Sequence, residues 1–175
     1  QVTFITAYLP GDNIGIAGND TWIMQLWRLH RRQGLDKPNP RLLMWKALES
    51  FILSLQSRGD LIVLMMDANG TFNDGELSMN RLRTICNLKD PHEIWNDGPP
   101  MPSYARGSQK IDFILVSDAI LSTGALVGAG TLALHHGIFS DHTLLFIDLD
   151  EHRLLRAASS KIMSPHGRLL NSKNK

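Results

Sequence analysis

Cysteine is almost absent from this chain, Cys86 being the only one among 175 residues. One thiol excludes a disulfide framework and a cysteine-ligated zinc site. It is compatible with a reducing compartment without assigning one, so localisation stays open. Long apolar runs are missing as well. None reaches the roughly 18 residues that a membrane-crossing helix requires, and no membrane partner is expected. There is no basic n-region or cleavage-type segment, and the chain opens on Gln1, which reads as a piece of something longer. No internal repeat and no low-complexity segment is found. What is present is a chain 43% hydrophobic and 20% charged. That apolar content suits one domain with a true core and excludes disorder over most of the length.

The formal net charge of +1 conceals an asymmetry. Residues 1–150 carry 12 basic and 16 acidic side chains, whereas 151–175 carry six Lys/Arg against Glu151 alone. The chain therefore divides into a domain over 1–150 and a basic tail over 151–175. Such a tail can strengthen contact with a polyanion by counterion release, or it can be a solvated terminus.

Local pattern predicts a mixed α/β layered domain. Residues 2–9, rich in β-branched and aromatic side chains and stopped by Pro10-Gly11, read as a strand. After a loop over 11–20, Asp20 or Thr21 can cap a helix running to Arg32. Asn39 as N-cap, Pro40 at the first helical position and Gly59 beyond the end frame a second helix. Its Met44, Trp45, Leu48, Phe51, Ile52 and Leu55 form one apolar stripe. The continuous run 61–66 is a strand buried on both faces. A weaker helix over 76–86, a proline-rich loop, and strands over 110–117, 143–149 and part of 124–134 complete the order.

Polar residues gather at strand ends, where α/β sheets tend to place their functional groups. The run 61–66 ends in Asp67-Ala68-Asn69-Gly70, and an extended chain would put Asp67 and Asn69 on one side. The alternative is an Asx turn in which both merely bond local backbone. Asp112 interrupts an apolar strand, sharing a face with Ile114 and Val116 while Ile111, Phe113 and Leu115 take the other. It is either paired in the interior or on the wet face of an edge strand. Ser140-Asp141-His142 sets a carboxylate beside an imidazole just before the last strand: a hard oxygen donor for a cation and a group able to meet a phosphate oxygen, or simply a polar turn. His135 and His136 read as loop histidines.

Four segments, ITAYLP, LIVLMMDAN, SYARGSQKIDFILVS and GIFSDHTLLFIDL, together resemble in order four motifs of the endonuclease/exonuclease/phosphatase superfamily. The resemblance spans about Val2 to Asp150 and is closest in wording to endonuclease domains of retroelements. It implies part of a four-layer α/β sandwich: the second sheet and its covering helices, with the front half missing. It also implies roles. Asp67 would orient or deprotonate the attacking water, and Asn69 would hold that water or the phosphate. Asp141 would help to hold Mg²⁺, with Mn²⁺ as a substitute. His142 would contact the scissile phosphate with Asp112 accepting its other ring proton, and Tyr8 would reach the phosphate. Ser103, Arg106 and Ser140 are further phosphate-contact candidates. The implied partners are nucleic acid, DNA first, and the amino-terminal half of the same domain; a retroelement origin would place the protein in the nucleus.

The chain departs from that pattern in four places. Met66 stands where the family has glycine before D-x-N, and Ala68 where it has a larger apolar residue. Gly11 follows Pro10 where abasic-site endonucleases carry a polar side chain. No glutamate sits in the context of the family's principal metal ligand, since Glu49, Glu76 and Glu93 fall on a helix, at a helix start and in a loop. Ile111, Phe113, Leu115, Leu145 and Ile147 are expected to include residues that the front half would bury. The reading is thus a Mg²⁺-dependent phosphodiesterase, a DNA endonuclease first, present as a weakly active or inactive fragment. The alternatives are a non-catalytic retroelement remnant that binds nucleic acid, and a phosphatase or phospholipid phosphodiesterase of the same superfamily.

Overall fold

The structure, a computed structural model, describes residues 1–11, 21–70, 78–96, 101–132 and 140–155. In chain order the elements are β1 (Val2–Tyr8), α1 (Trp22–Arg32), α2 (Pro40–Ser57), β2 (Leu61–Asp67), α3 (Met79–Ile85), β3 (Leu88–Lys89) and α4 (Pro91–Trp95). They are followed by β4 (Asp112–Ser117), α5 (Asp118–Ser122), β5 (Leu126–Leu132), β6 (Leu144–Leu149) and α6 (Glu151–Leu155). Four strands form one sheet in the order β1-β2-β4-β3, with β1 parallel to β2 and the other pairs antiparallel. β5 and β6 make a separate antiparallel pair. This is an α/β fold.

The central strands are apolar on both faces because both faces are covered. Ile62, Leu64 and Met66 of β2, with Phe113 and Leu115 of β4, pack against Trp45, Ile52 and Leu55 of α2 and Met79 and Leu82 of α3. The alternate residues Val63, Ile114 and Val116 meet Ile120, Ala125, Leu145, Ile147, Leu149 and Leu154. Burying such aliphatic side chains fully is worth about 1.5–3 kcal/mol each, which fixes the strand register against a one-residue slip. Of the five residues expected to include ones that a front half would bury, Phe113 and Leu115 are covered by this chain's own helices.

α2 begins as the sequence indicates, with Pro40 in its first turn and the Asn39 side chain accepting a hydrogen bond from the Leu42 N–H at 3.0 Å. Phe51 leaves the expected stripe and is 52% exposed, because the face that meets the sheet follows Trp45, Leu48, Ile52 and Leu55. The proline-rich stretch starts as a helix rather than a loop. Asp90 caps α4 by accepting from the His92 N–H, and Pro91 takes the first helical position. α5 and α6 were not foreseen. They are too short to show a period. The stretch assigned to the basic tail opens as α6, whose Leu154 packs into the second core; Arg156 and the residues after it lie outside the described part, as do Glu76, His135 and His136. No described helix is long and apolar enough to cross a membrane. Cys86 is buried, and burial with the nearby Glu49 charge pushes its thiol up to about 11, which suits a core residue rather than a reactive one.

In the β5–β6 pair, Gly130 lies under the Phe146 ring. An alanine Cβ there would stand 2.7 Å from the ring's Cζ. Gly130→Ala is expected to lower the unfolding free energy by about 1–3 kcal/mol through overpacking, measured as a shift in the urea midpoint. An unchanged midpoint would show that the ring swings aside at no cost.

Candidate active site

The strand registers alone assemble the first part of the site. Tyr8 is in register with Asp67 across β1 and β2, and Asp67 with Asp112 across β2 and β4. In-register neighbours share a face of the sheet. Tyr8, Asp67 and Asp112 thus form a row across one end of it, next to the row Thr6, Met65, Ile114. This face borders a cleft of about 350 Å³ whose other wall is the start of β6, with Ser140, His142 and Leu144. β4 lies between β2 and the two-residue β3, but β3 pairs only with Val116 and Ser117. At Asp112 the strand therefore has β2 alone beside it, and the carboxylate is paired rather than wet because His142 meets it.

His142 reaches the row through a small backbone clasp. The Ala105 N–H donates to the Asp141 carbonyl and the Thr143 N–H to the Ser103 carbonyl, both at 2.8 Å, bringing Tyr104 opposite His142. The buried Ser103 Oγ accepts the N–H groups of Ile111 and Asp112 at 2.8 and 2.9 Å. One segment thereby holds both the histidine loop and the start of β4. The result is His142 Nδ1 at 2.9 Å from Asp112 Oδ2, with the Tyr104 ring centroid 5.1 Å from the imidazole. An ionised carboxylate only accepts, so Nδ1 carries the proton and Nε2 remains for other partners. The side chains of His142 and Asp112 are 32% and 16% exposed, enough burial for the pair to be weakly screened.

The Asp67–Asn69 segment is turned, not extended. Asn69 has φ +43°, its N–H donates to Asp67 Oδ1 at 2.9 Å, and its side-chain amide donates to the Leu9 carbonyl at 2.9 Å. This is the Asx turn that was the alternative to the shared-side arrangement. The turn replaces the shared-side arrangement, yet it fixes the Asp67 carboxylate while joining the ends of β1 and β2.

Charge in the site is unbalanced. Asp67 is raised above the ordinary 3.8, first by burial and further by the Asp112 charge, although the Asn69 N–H, His142 and Arg41 pull the other way. Burial pulls His142 down, but the hydrogen bond and charge of Asp112, with the charges of Asp67 and Asp141, leave it above 6.5. Asp67, Asp112 and His142 each offer a donor atom, all within 4.8 Å of one another. Two facing carboxylates, with the Asp112 charge helping to raise Asp67, fit a hard divalent cation, which takes oxygen ligands by preference.

Of the residues singled out in the sequence, Tyr8, Asp67, Asn69, Asp112 and His142 come together. Ser140 lines the cleft and its Oγ accepts the His142 N–H at 3.0 Å. Asp141 is exposed beside them and is not in the three-residue group. Ser103 sits beneath the site in the service of backbone, and Arg106 is exposed in the turn that follows Tyr104. Tyr104 was passed over, since one aromatic in a polar loop carries no period. Arg41 was also missed, although a signal exists: positions 41, 45, 48, 52 and 55 are one helical stripe, and Arg41 is the charge at its head. No protein-family model matches this chain, and no curated protein matches it either.

Proposed function

We propose that this cleft hydrolyses phosphodiesters with the help of a divalent cation, DNA being the substrate, in the manner of the endonuclease/exonuclease/phosphatase superfamily. The observation that carries the reading is the His142–Asp112 pair at 2.9 Å, with Asp112 directly opposite Asp67 in the β2–β4 register. Asp112 favours the imidazolium form of His142, which can neutralise charge developing on a phosphate oxygen or hand it a proton. Asp67, held by the Asn69 turn and raised by burial, is suited to orient or deprotonate the attacking water. Tyr8, at the exposed end of the row, reaches toward the phosphate. Mg²⁺, or Mn²⁺ in its place, would be held by these aspartates with Asp141 beside them and would supply positive charge against the phosphate oxygens.

Turnover by this chain is proposed to be slow. Glu49 and Glu93 are engaged by Arg81 and Arg83 and neither lines the cleft, so among the described residues the cation would rest on aspartates alone. The test is nicking of supercoiled plasmid with Mg²⁺, beside EDTA and His142→Ala. Slow nicking abolished in both controls supports the reading. A folded chain that never nicks, or nicks equally in EDTA, sinks it. Inositol phosphates and sphingomyelin offered in parallel distinguish the phosphatase and phospholipid alternatives.

A further inference from the structure

We infer that Arg41 is a positioning residue of this cleft, its guanidinium clamping the ends of β1 and β2 into one rigid edge from behind. The inference rests on the proposed activity only for its effect on turnover. Arg41 Nη1 donates to the Pro10 carbonyl at 2.7 Å, and Nη2 to the carbonyls of Ala68 and Asn69 at 2.9 and 3.2 Å. The residue is 5% exposed and does not line the cleft, so it acts only through what it holds.

The need for a clamp follows from topology. β1 and β2 are parallel, so both chains leave the sheet at the same edge. The last rung between them is the Leu9 N–H to the Asp67 carbonyl at 2.8 Å. Past it the two segments separate, Pro10 has no N–H to offer, and the carbonyls of Pro10, Ala68 and Asn69 point inward without a strand partner. A buried arginine satisfies all three, and they in turn satisfy a charge that could not otherwise be buried. Asn69 is therefore gripped twice: its side chain holds Leu9, and Arg41 holds its carbonyl. This holds it at a positive φ, a region uncommon for residues other than glycine and one that asparagine enters more readily than most. Arg41 meets the two segments with two separate nitrogens of one planar fork, whereas a lysine offers a single nitrogen to span them.

Arg41→Lys and Arg41→Ala in the full chain test this by amide hydrogen exchange and plasmid nicking. Both variants are expected to lose protection at the Leu9 and Asn69 amides while Ile62 and Leu64 in the same strands' core keep theirs. Nicking is expected to fall about 100-fold, in rate rather than in substrate affinity. Methylguanidine below denaturing concentration should restore Leu9 and Asn69 protection in Arg41→Ala, and sodium chloride of equal ionic strength should not. Unchanged protection at both amides, loss spread evenly over the whole sheet, or no response to methylguanidine would each overturn the inference. If the unsubstituted chain does not nick at all, the phosphodiesterase reading fails, and the exchange comparison still decides on Arg41.

Discussion

His142→Ala is expected to reduce cation-dependent phosphodiester cleavage by about 10²- to 10⁴-fold while leaving the fold in place, the range lost when a positioned acid–base group is removed. The ring is half-buried and adds little to either core, so a circular dichroism melt should barely move. Asp112→Asn should come next in severity, because an amide in that place supplies no charge to hold the imidazolium. The pH profile separates the two roles. In the metal-free protein His142 is raised above 6.5, so its folded form holds the proton more tightly than the unfolded chain does. That contribution to stability is complete below 6.5 and is lost as pH rises through the raised value. Cleavage that needs the imidazolium should fall over the same alkaline limb, and Asp112→Asn should move the limb to lower pH. NMR titration of the ring nitrogens checks this directly. A His142 that titrates identically with and without the Asp112 carboxylate would mean that the pair is not formed in solution.

The largest expected loss of stability lies away from the cleft, at Asp90. Its side chain is wholly buried, as is Lys110, whose ammonium contacts Asp90 Oδ2 at 2.5 Å. Asp90 also accepts from the His92 N–H, and His92 Nε2 meets the Gly130 carbonyl at 3.0 Å. The cluster thus links α4, the segment entering β4, and β5. Asp90→Asn keeps the shape but takes the carboxylate away from the buried Lys110 charge, and should cost about 3–5 kcal/mol. Asp90→Asn with Lys110→Met should recover much of that loss, since the buried charge is then gone. Urea unfolding of the three variants is the measurement. A loss under about 1 kcal/mol in Asp90→Asn would show that the pair is solvated, like a surface ion pair. The same group shapes acid stability. Burial works to raise Asp90, but His92 and Lys110 outweigh it and leave the carboxyl below the ordinary 3.8. Its stabilisation is present above 3.8 and lost as pH falls through the lowered value, and Asp90→Asn should lack this acid limb.

The elements with a strong period or cap were legible in the sequence. The Asn39-Pro40 start of α2 and the doubly apolar β2 follow from local chemistry, which any fold containing them must respect. The α/β class follows from their order. Asp67, Asn69 and His142 were legible as polar residues at strand ends, and Asp112 as a charge interrupting an apolar strand, patterns that cost free energy unless they are used. Short helices such as α4 and α5 were not, because five residues give no period to read. Nor was the covering of Phe113 and Leu115, which depends on which face α2 and α3 choose. What the sequence alone determined is where the strands and long helices lie and which polar residues interrupt them. What only the tertiary structure decided is the row Tyr8–Asp67–Asp112, the placing of His142 against it and the three-carbonyl grip of Arg41. Register, the Ser103–Tyr104 clasp and a hydrogen bond across 27 to 31 residues of chain are relations between distant segments, and no local pattern encodes them.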